Sequence, residues 1–266
     1  MPKTKSTWLI YVTWSRGFIW RNLVSKLSDG KRRPIEIEDS TYPFWDDLKE
    51  GDVVIHLGAY SSTTCNNPEI YKKLNTDYTK NLIDVCAAKK AKLIYASSAA
   101  VYGNGNWPLN DYGRSKLEID EYAQNVWGCV WLRFFNVYGW GEYNKWKDAS
   151  MISQWMDAYQ EKLKLFKVKA ERDFVHVNDV VKVIQFFINN FKPGIYDVGT
   201  WEAVSFDDVA DEIIKLNNLE GKEYISFPKH LKGKYQFHTQ ADLTKLREVG
   251  YTKNFLSIYE GLRLMK

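Results

Sequence analysis

The chain has 266 residues, 45% of them hydrophobic, which is enough for one large α/β domain or two smaller ones with a real core. Its net charge of +4 is spread along the chain, which suits an anionic small ligand and is too weak for a nucleic-acid-binding stripe. Three separated cysteines without a C-x-x-C pair exclude a disulfide framework, four histidines without ligand spacing leave no metal expected, and no apolar run approaches a membrane span or a leader, so no membrane partner and a cytoplasmic location are expected.

Strand-like apolar runs alternate with helix-like segments, which predicts a parallel sheet with crossover helices. Residues 8–13 read as a strand, followed by a helix over about 17–27. "RPIEIED" alternates like a half-buried strand and ends in Glu38 and Asp39, and "DVVIHLGA" at 52–59 is a short buried strand. Only about a dozen residues separate Asp39 from Asp52, so one strand–helix unit is expected to be missing. "EIYKKLNTDYTKNLIDVCAAKK" reads as a helix, "AKLIYASSAAVYG" as a strand running into a loop, "DYGRSKLEIDEYAQNV" as a helix and "CVWLRFFNVYG" as a strand. Beyond that, residues 148–160 read as helical. "RDFVHVNDVVKVIQFFINN" is a strand followed by a helix opening near Asn178. "GIYDVGT" is a strand, "SFDDVADEIIKLNN" a helix capped by Ser205, and "KEYISFP" a short strand.

The strongest chemical signal is Ser98 with Tyr112 and Lys116. "DYGRSK" sets Tyr112 and Lys116 four residues apart at a helix start, on one face. An ammonium beside a phenol favours the phenolate, and a tuned tyrosine can then move a proton to or from a substrate hydroxyl. Ser98, after a strand, can bond the same oxygen. Y-x-x-x-K alone is common on amphipathic helices; the upstream "YASSAAVYG" is what gives it weight. Asp39 lies nineteen residues after Trp20, where a carboxylate on an adenosine ribose is usual, and an acid there favours NAD. Glu38 is an alternative, and Lys31, Arg32 and Arg33 keep NADP open.

With these motifs the chain resembles the extended short-chain dehydrogenase/reductase superfamily, in its NAD-dependent epimerase/dehydratase group. The likeness covers nearly the whole length: the loop at 13–20, "HLGAYSSTT" at 56–64, Asn75, "YASSAAVYG", "YGRSK", "LRFFNVYG" and "RDFVHVNDVV". "AYSSTT", "FNVYGWGEYNKWKDAS" and "HLKGKYQFHTQADLTKLREVGY" are most similar to the ADP-glyceromanno-heptose 6-epimerases. The resemblance implies a Rossmann-type doubly wound parallel sheet with a smaller C-terminal substrate-binding part. The NAD(P)-binding domain would span 1–140, with 172–200 returning to it, and the substrate part 141–171 and 201–266. It implies a nucleotide-sugar epimerase that uses NAD or NADP to oxidise a sugar carbinol to a ketone and reduce it again. Cofactor contacts are implied at Thr13, Trp14, Arg16, Gly17, Phe18 and Ile19, at Asp39, at Leu57, Gly58 and Ala59, at Asn75 and Ala96, and at Tyr112 and Lys116. Tyr112 would carry a proton, Lys116 would tune it and hold a ribose, and Lys145 would be a second base. Ser61, Ser98, Asn136, Arg172, Lys234 and Tyr235 would contact a nucleotide-diphosphate sugar. An arginine such as Arg172 suits a diphosphate because its fork is bidentate and permanently charged. A 4-epimerase, dehydratase or reductase on another nucleotide sugar is the alternative, though Ala99 and Ala100 stand where a dehydratase carries an acidic pair. Family members often form dimers or larger rings, so a homo-oligomer is in view.

One feature fits badly. A dinucleotide loop wants glycine near positions 14, 17 and 20, and only Gly17 is glycine. Trp14 puts an indole where backbone without a Cβ is wanted, and Trp20 should overpack a helix–strand contact by roughly 1–3 kcal/mol. The family pattern also expects glycine at Trp131, Trp146 and Trp201, and glycine or proline at Trp107 and Trp140. The eleven tryptophans are roughly three times an ordinary share. One account covers the anomaly: in some bacteria UGA encodes glycine, and a translation that reads it as tryptophan prints Trp at those sites. UGG codons at 14 and 20 would exclude it. If the tryptophans are native, a nucleotide-sugar-binding relative without turnover is the competing reading.

Overall fold

The computed structural model describes residues 8–14, 17–27, 34–37, 44–63, 65, 67–124, 126, 128–142, 149–157 and 162–266. A six-stranded sheet forms its centre, from β1 (Ile10–Thr13), β2 (Ile35–Ile37), β3 (Val53–His56), β4 (Lys92–Ser98), β5 (Cys129–Phe134) and β9 (Gly194–Val198). The order is β2-β1-β3-β4-β5-β9 and every pairing is parallel. Helices cover both faces, which is why β1 and β3 are buried at every residue and read as unbroken apolar runs. The covering helices include α1 (Phe18–Leu27), α2 (Pro68–Tyr71), α3 (Tyr78–Lys89), α4 (Asp111–Gln124) and α6 (Val177–Asn189). This is the doubly wound α/β architecture expected from the sequence. Strand order reverses between β1 and β3, so the crevice for a ligand opens beyond the carboxyl ends of those two strands.

Two smaller sheets flank this unit. One has the order β10-β8-β6, from β6 (Asn136–Tyr138), β8 (Glu171–His176) and β10 (Ala203–Ser205). The other pairs β7 (Lys162–Phe166) with β11 (Gly221–Ile225). They pack with α5 (Met151–Met156), α7 (Phe206–Asn217) and α9 (Ile258–Leu264) around a separate apolar cluster that includes Trp155, Phe174 and Ile213. A short α8 (Thr244–Glu248) packs back on the large sheet through Leu246. Of the returning segment 172–200, β9 joins the large sheet and α6 packs beside α1, whereas β8 lies in the smaller sheet.

The sequence reading needs three corrections of detail. "CVWLRFFNVYG" is two strands, because the chain leaves the large sheet at Phe135 and pairs β6 with β8 instead. The helix expected over 148–160 is described only as Met151–Met156, its Ser150 cap accepting a bond from the Ser153 amide. The long helix after Pro68 is continuous through α3 but passes through a π-helical stretch, Lys72–Asp77, that buries Asn75 and Thr76. Such stretches are concentrated at functional sites. The Ser205 cap on α7 forms as expected.

His56 ties the centre together. Its ring lies 2.6 Å from the Thr13 hydroxyl and 3.0 Å from that of Thr79, joining β1 and β3 to α3. Burial, and then the neighbouring Lys116 charge, push it down to about 3. The unfolded chain therefore takes up a proton first as pH falls, and stability is lost from about pH 6.5 downward. At pH 5 this amounts to about 2 kcal/mol. Urea denaturation of His56→Gln should show a smaller loss between pH 7 and pH 5 than the unsubstituted chain; equal losses would assign the acid sensitivity elsewhere.

Candidate active site

Beyond the carboxyl ends of β1, β3 and β4 lies a cavity of about 520 Å³. Twelve of the expected site residues line it. Trp14, Gly17, Phe18 and Ile19 come from the loop and first turn after β1, Leu57, Ala59 and Ser61 from the loop after β3, and Ala96 and Ser98 from the end of β4. Tyr112 and Lys116 come from α4 and Asn136 from β6. Asn136 also lines a second cavity of about 450 Å³, so the two meet at that residue. Arg172, Lys234 and Tyr235 line the second cavity. Residues more than 200 positions apart in sequence are thus gathered around two cavities that share Asn136.

Three expected residues stand behind the wall. The Thr13 hydroxyl is engaged by His56. Asn75 accepts the Tyr60 amide at 2.7 Å, donates to the Tyr60 carbonyl at 3.1 Å and donates to the Ser115 hydroxyl at 3.0 Å. It therefore pins the loop after β3 to α4. Gly58 lies under the Trp14 ring, whose nearest carbon is 2.9 Å from where a Cβ at position 58 would be. Arg16, Asp39 and Lys145 lie outside the described residues.

Of the expected pair, Lys116 is buried and Tyr112 half-buried. Lys116 is 2% exposed; its ammonium donates to the Ala96 carbonyl at 2.7 Å and lies 4.5 Å from the Tyr95 ring and 5.9 Å from that of Tyr112. Burial lowers Lys116 to about 7, opposed by the Asp120 carboxylate. Tyr112 is raised, chiefly by burial, while a hydrogen bond from Ser98 works the other way. The expectation that the ammonium would lower this phenol is therefore not met: desolvation outweighs a cation nearly 6 Å from the ring. Ser98 also caps the 3-10 turn Ala99–Tyr102 by accepting the Ala100 amide. That fixes its hydroxyl near Tyr112.

In the second cavity the Arg172 guanidinium lies 4.8 Å from the Tyr235 ring and 5.7 Å from that of Phe206, and it donates to the carbonyls of Glu171 and Gln236. An arginine stacked between rings and held by carbonyls is aimed and keeps its charge. Sequence reasoning missed Glu142, which lines the first cavity and is buried. Its carboxylate accepts the Ser150 amide at 3.1 Å, the Ser150 hydroxyl at 2.5 Å and the Ser153 hydroxyl at 2.6 Å. Nothing local in "GEYN" marks it, since its partners are eight and eleven residues away.

The cavity is suited to the implied dinucleotide at its catalytic end. Lys116 and Tyr112 present an ammonium and a phenol beside Ser98. At the loop end Trp14 has φ +64, a conformation glycine takes readily and tryptophan does not, and its indole lies over Gly58. Trp201 likewise has φ +71, but it is exposed and away from the cavity. Trp20 is half-buried against the main core and its indole nitrogen has no partner among the described residues. Trp131 is buried in β5 with the same unpaired nitrogen, Trp107 and Trp140 are exposed, and Trp146 lies outside the described residues.

Known proteins resemble this chain in sequence and in fold. The ADP-L-glycero-D-manno-heptose-6-epimerase of Brachyspira hyodysenteriae is 39% identical over 234 residues, 80% of this chain and 74% of that relative. The crystal structure of the Helicobacter pylori ADP-L-glycero-D-manno-heptose-6-epimerase superposes with a TM-score of 0.84 at 28% identity, covering 97% of this chain and 94% of that one. MoeE5, in complex with UDP-glucuronic acid and NAD, superposes with a TM-score of 0.83 at 26% identity, covering 97% of each chain. No described helix is long and apolar enough to cross a membrane. The NAD dependent epimerase/dehydratase family model matches residues 35–199, and the chain belongs to that family of NAD-dependent enzymes.

Proposed function

We propose that this protein is a nucleotide-sugar epimerase whose substrate is an ADP-heptose. The observation that carries the reading is that the Ser98–Tyr112–Lys116 cavity and one holding Arg172, Lys234 and Tyr235 share Asn136 in their walls. One end can exchange a proton with a sugar hydroxyl; the other can hold a diphosphate and its nucleoside. The heptose-epimerase relative, matching over 80% of this chain, supports the sugar.

NAD, when bound, takes hydride from the carbinol and returns it to the ketone. The residues that would hold it are Gly17, Phe18 and Ile19 after β1, Leu57 and Ala59 after β3, and Lys116 with Tyr112 on α4. Asp39 is our proposed ribose ligand and favours NAD over NADP. Tyr112 takes the hydroxyl proton as the carbinol is oxidised and gives it back on reduction. Ser98 holds the reacting oxygen against Tyr112. Lys116 supplies the positive charge that favours the phenolate once the cavity is occupied and closer contacts form. Epimerisation reduces the ketone on the opposite face, which calls for a second proton carrier; we assign that role to Lys145. Arg172 grips the diphosphate, with Lys234 beside it.

Incubation with NAD and one C6 epimer of ADP-glycero-manno-heptose should yield the other, followed by anion-exchange chromatography and by NMR at C6. Turnover of UDP-glucose or UDP-glucuronic acid instead would move the protein to the 4-epimerase alternative. A second reading has one observation behind it. The Trp14 indole over Gly58 narrows the cofactor loop, so a chain that binds the nucleotide sugar and converts none of it is a non-catalytic binder.

A further inference from the structure

We infer that Asp120 is a positioning residue for the reacting pair, holding the buried Lys116 ammonium in its charged form beside Tyr112 from one helical turn away. The inference rests on the roles proposed for Tyr112 and Lys116, and extends them to a side chain that lines neither cavity.

Tyr112, Lys116 and Asp120 recur every four residues along α4, one above the other on its inner face. Lys116 is 2% and Asp120 0% exposed. Among the described residues Lys116 has no carboxylate within 4.0 Å; its direct contacts are the Ala96 carbonyl and the Tyr95 ring. A buried ammonium without an ion pair tends to lose its proton. The groups that face it come from four elements. His56 on β3 is neutral at ordinary pH. Tyr95 and Ser97 stand on β4, Tyr112 and Asp120 on α4, and Arg133 on β5. Asp120 is the carboxylate acting on Lys116, and it opposes the effect of burial.

Asp120 is itself maintained by Arg133, whose Nε donates to Oδ2 at 2.8 Å. The Ser97 hydroxyl on β4 also favours the Asp120 carboxylate, as does the Lys116 charge. Arg133 is anchored in turn, donating to the Tyr102 hydroxyl at 2.9 Å while that hydroxyl donates to Asp197 at 2.6 Å. Burial raises the Asp120 carboxyl and Arg133 chiefly opposes it, so the charge under the lysine is maintained by this ion pair.

The test is a lysine ¹³Cε NMR titration of the cofactor-free chain, with Lys116 assigned by the loss of its resonance in Lys116→Arg, alongside the pH profile of epimerisation. In Asp120→Asn the Lys116 midpoint should fall by about one pH unit or more. A lysine loses its charge as pH rises through its midpoint, so the alkaline limb of kcat should move down with it. Asp120→Glu, which keeps the charge, should return both toward the unsubstituted values. Arg133→Lys disturbs the same ion pair but keeps both charges, and should leave the midpoint in place. A uniform loss of kcat with midpoint and limb unmoved, or the same downward shift in Arg133→Lys, makes Asp120 a packing residue and overturns the inference. Should Asp120→Asn not fold, the unsubstituted chain decides: the Lys116 resonance must show a second inflection where the Asp120 carboxyl carbon titrates, and its absence overturns the inference. The NMR arm needs no turnover, so a failure of the epimerase reading is separable from a failure of this one.

Discussion

Tyr112→Phe will lower kcat for epimerisation by about 10²–10⁴-fold, with KM for the nucleotide sugar little changed. The substitution removes one oxygen, the proposed proton carrier, and leaves the ring in the cavity wall. Little else depends on that oxygen. Ser98 keeps its bond to the Ala100 amide, and Lys116 keeps its bond to the Ala96 carbonyl. Stability should therefore change by no more than about 1 kcal/mol, which a urea titration checks. The nucleotide-binding end, around Arg172 and Tyr235, belongs to other elements and is not disturbed. Retention of more than a tenth of the activity would remove Tyr112 from the proton-carrier role and turn attention to Lys145.

Trp14→Gly will tighten NAD binding, by about tenfold or more, if 1–3 kcal/mol of crowding is released. Two things change. A side chain at φ +64 carries a backbone penalty of about 1–2 kcal/mol that glycine does not, and its relief raises stability with or without NAD. The indole that covers Gly58 also leaves the crevice between the ends of β1 and β3. Trp201→Gly is the control: it relieves a similar φ at an exposed position outside the cavity, so it should leave the NAD affinity unchanged. Trp20 is a different case. It lines the same cavity but is also half-buried against the main core, so its removal changes packing as well as space, and the single Trp14 variant is the cleaner experiment. Calorimetric titration of NAD into both chains decides it. If the unsubstituted chain binds as tightly, the indole moves aside at no cost and the steric argument fails. The left-handed backbone at 14 and 201 is what glycine at those two positions would adopt, so the codons at both positions are worth reading directly.

The sequence was most legible where the chemistry is local. Tyr112 and Lys116 share a helix, and four-residue spacing puts them on one face whatever surrounds that helix. The buried parallel strands could be read because strands covered on both faces are apolar without alternation. The short interval between Asp39 and Asp52 already implied a sheet that crosses directly from β2 to β3, and the described strands follow that order. The expectation of glycine at position 14 agrees with the positive φ found there.

What the sequence could not decide depends on partners far along the chain. The apolar run 129–139 gives no sign that it changes sheets at Phe135, because both halves are equally apolar and the partners, β9 and β8, lie elsewhere. Thr13 looks like a loop ligand until His56, 43 residues on, takes its hydroxyl. Asn75 looks like a cofactor contact until Tyr60 and Ser115 use its amide. The Tyr112 phenol is raised rather than lowered because its burial, and the distance to the ammonium, follow from how α4 packs on β4. Residue type and spacing determined which groups carry the chemistry. Packing decided which of them face the cavity and how strongly each holds its proton, because desolvation and hydrogen bonding depend on neighbours brought in from other elements.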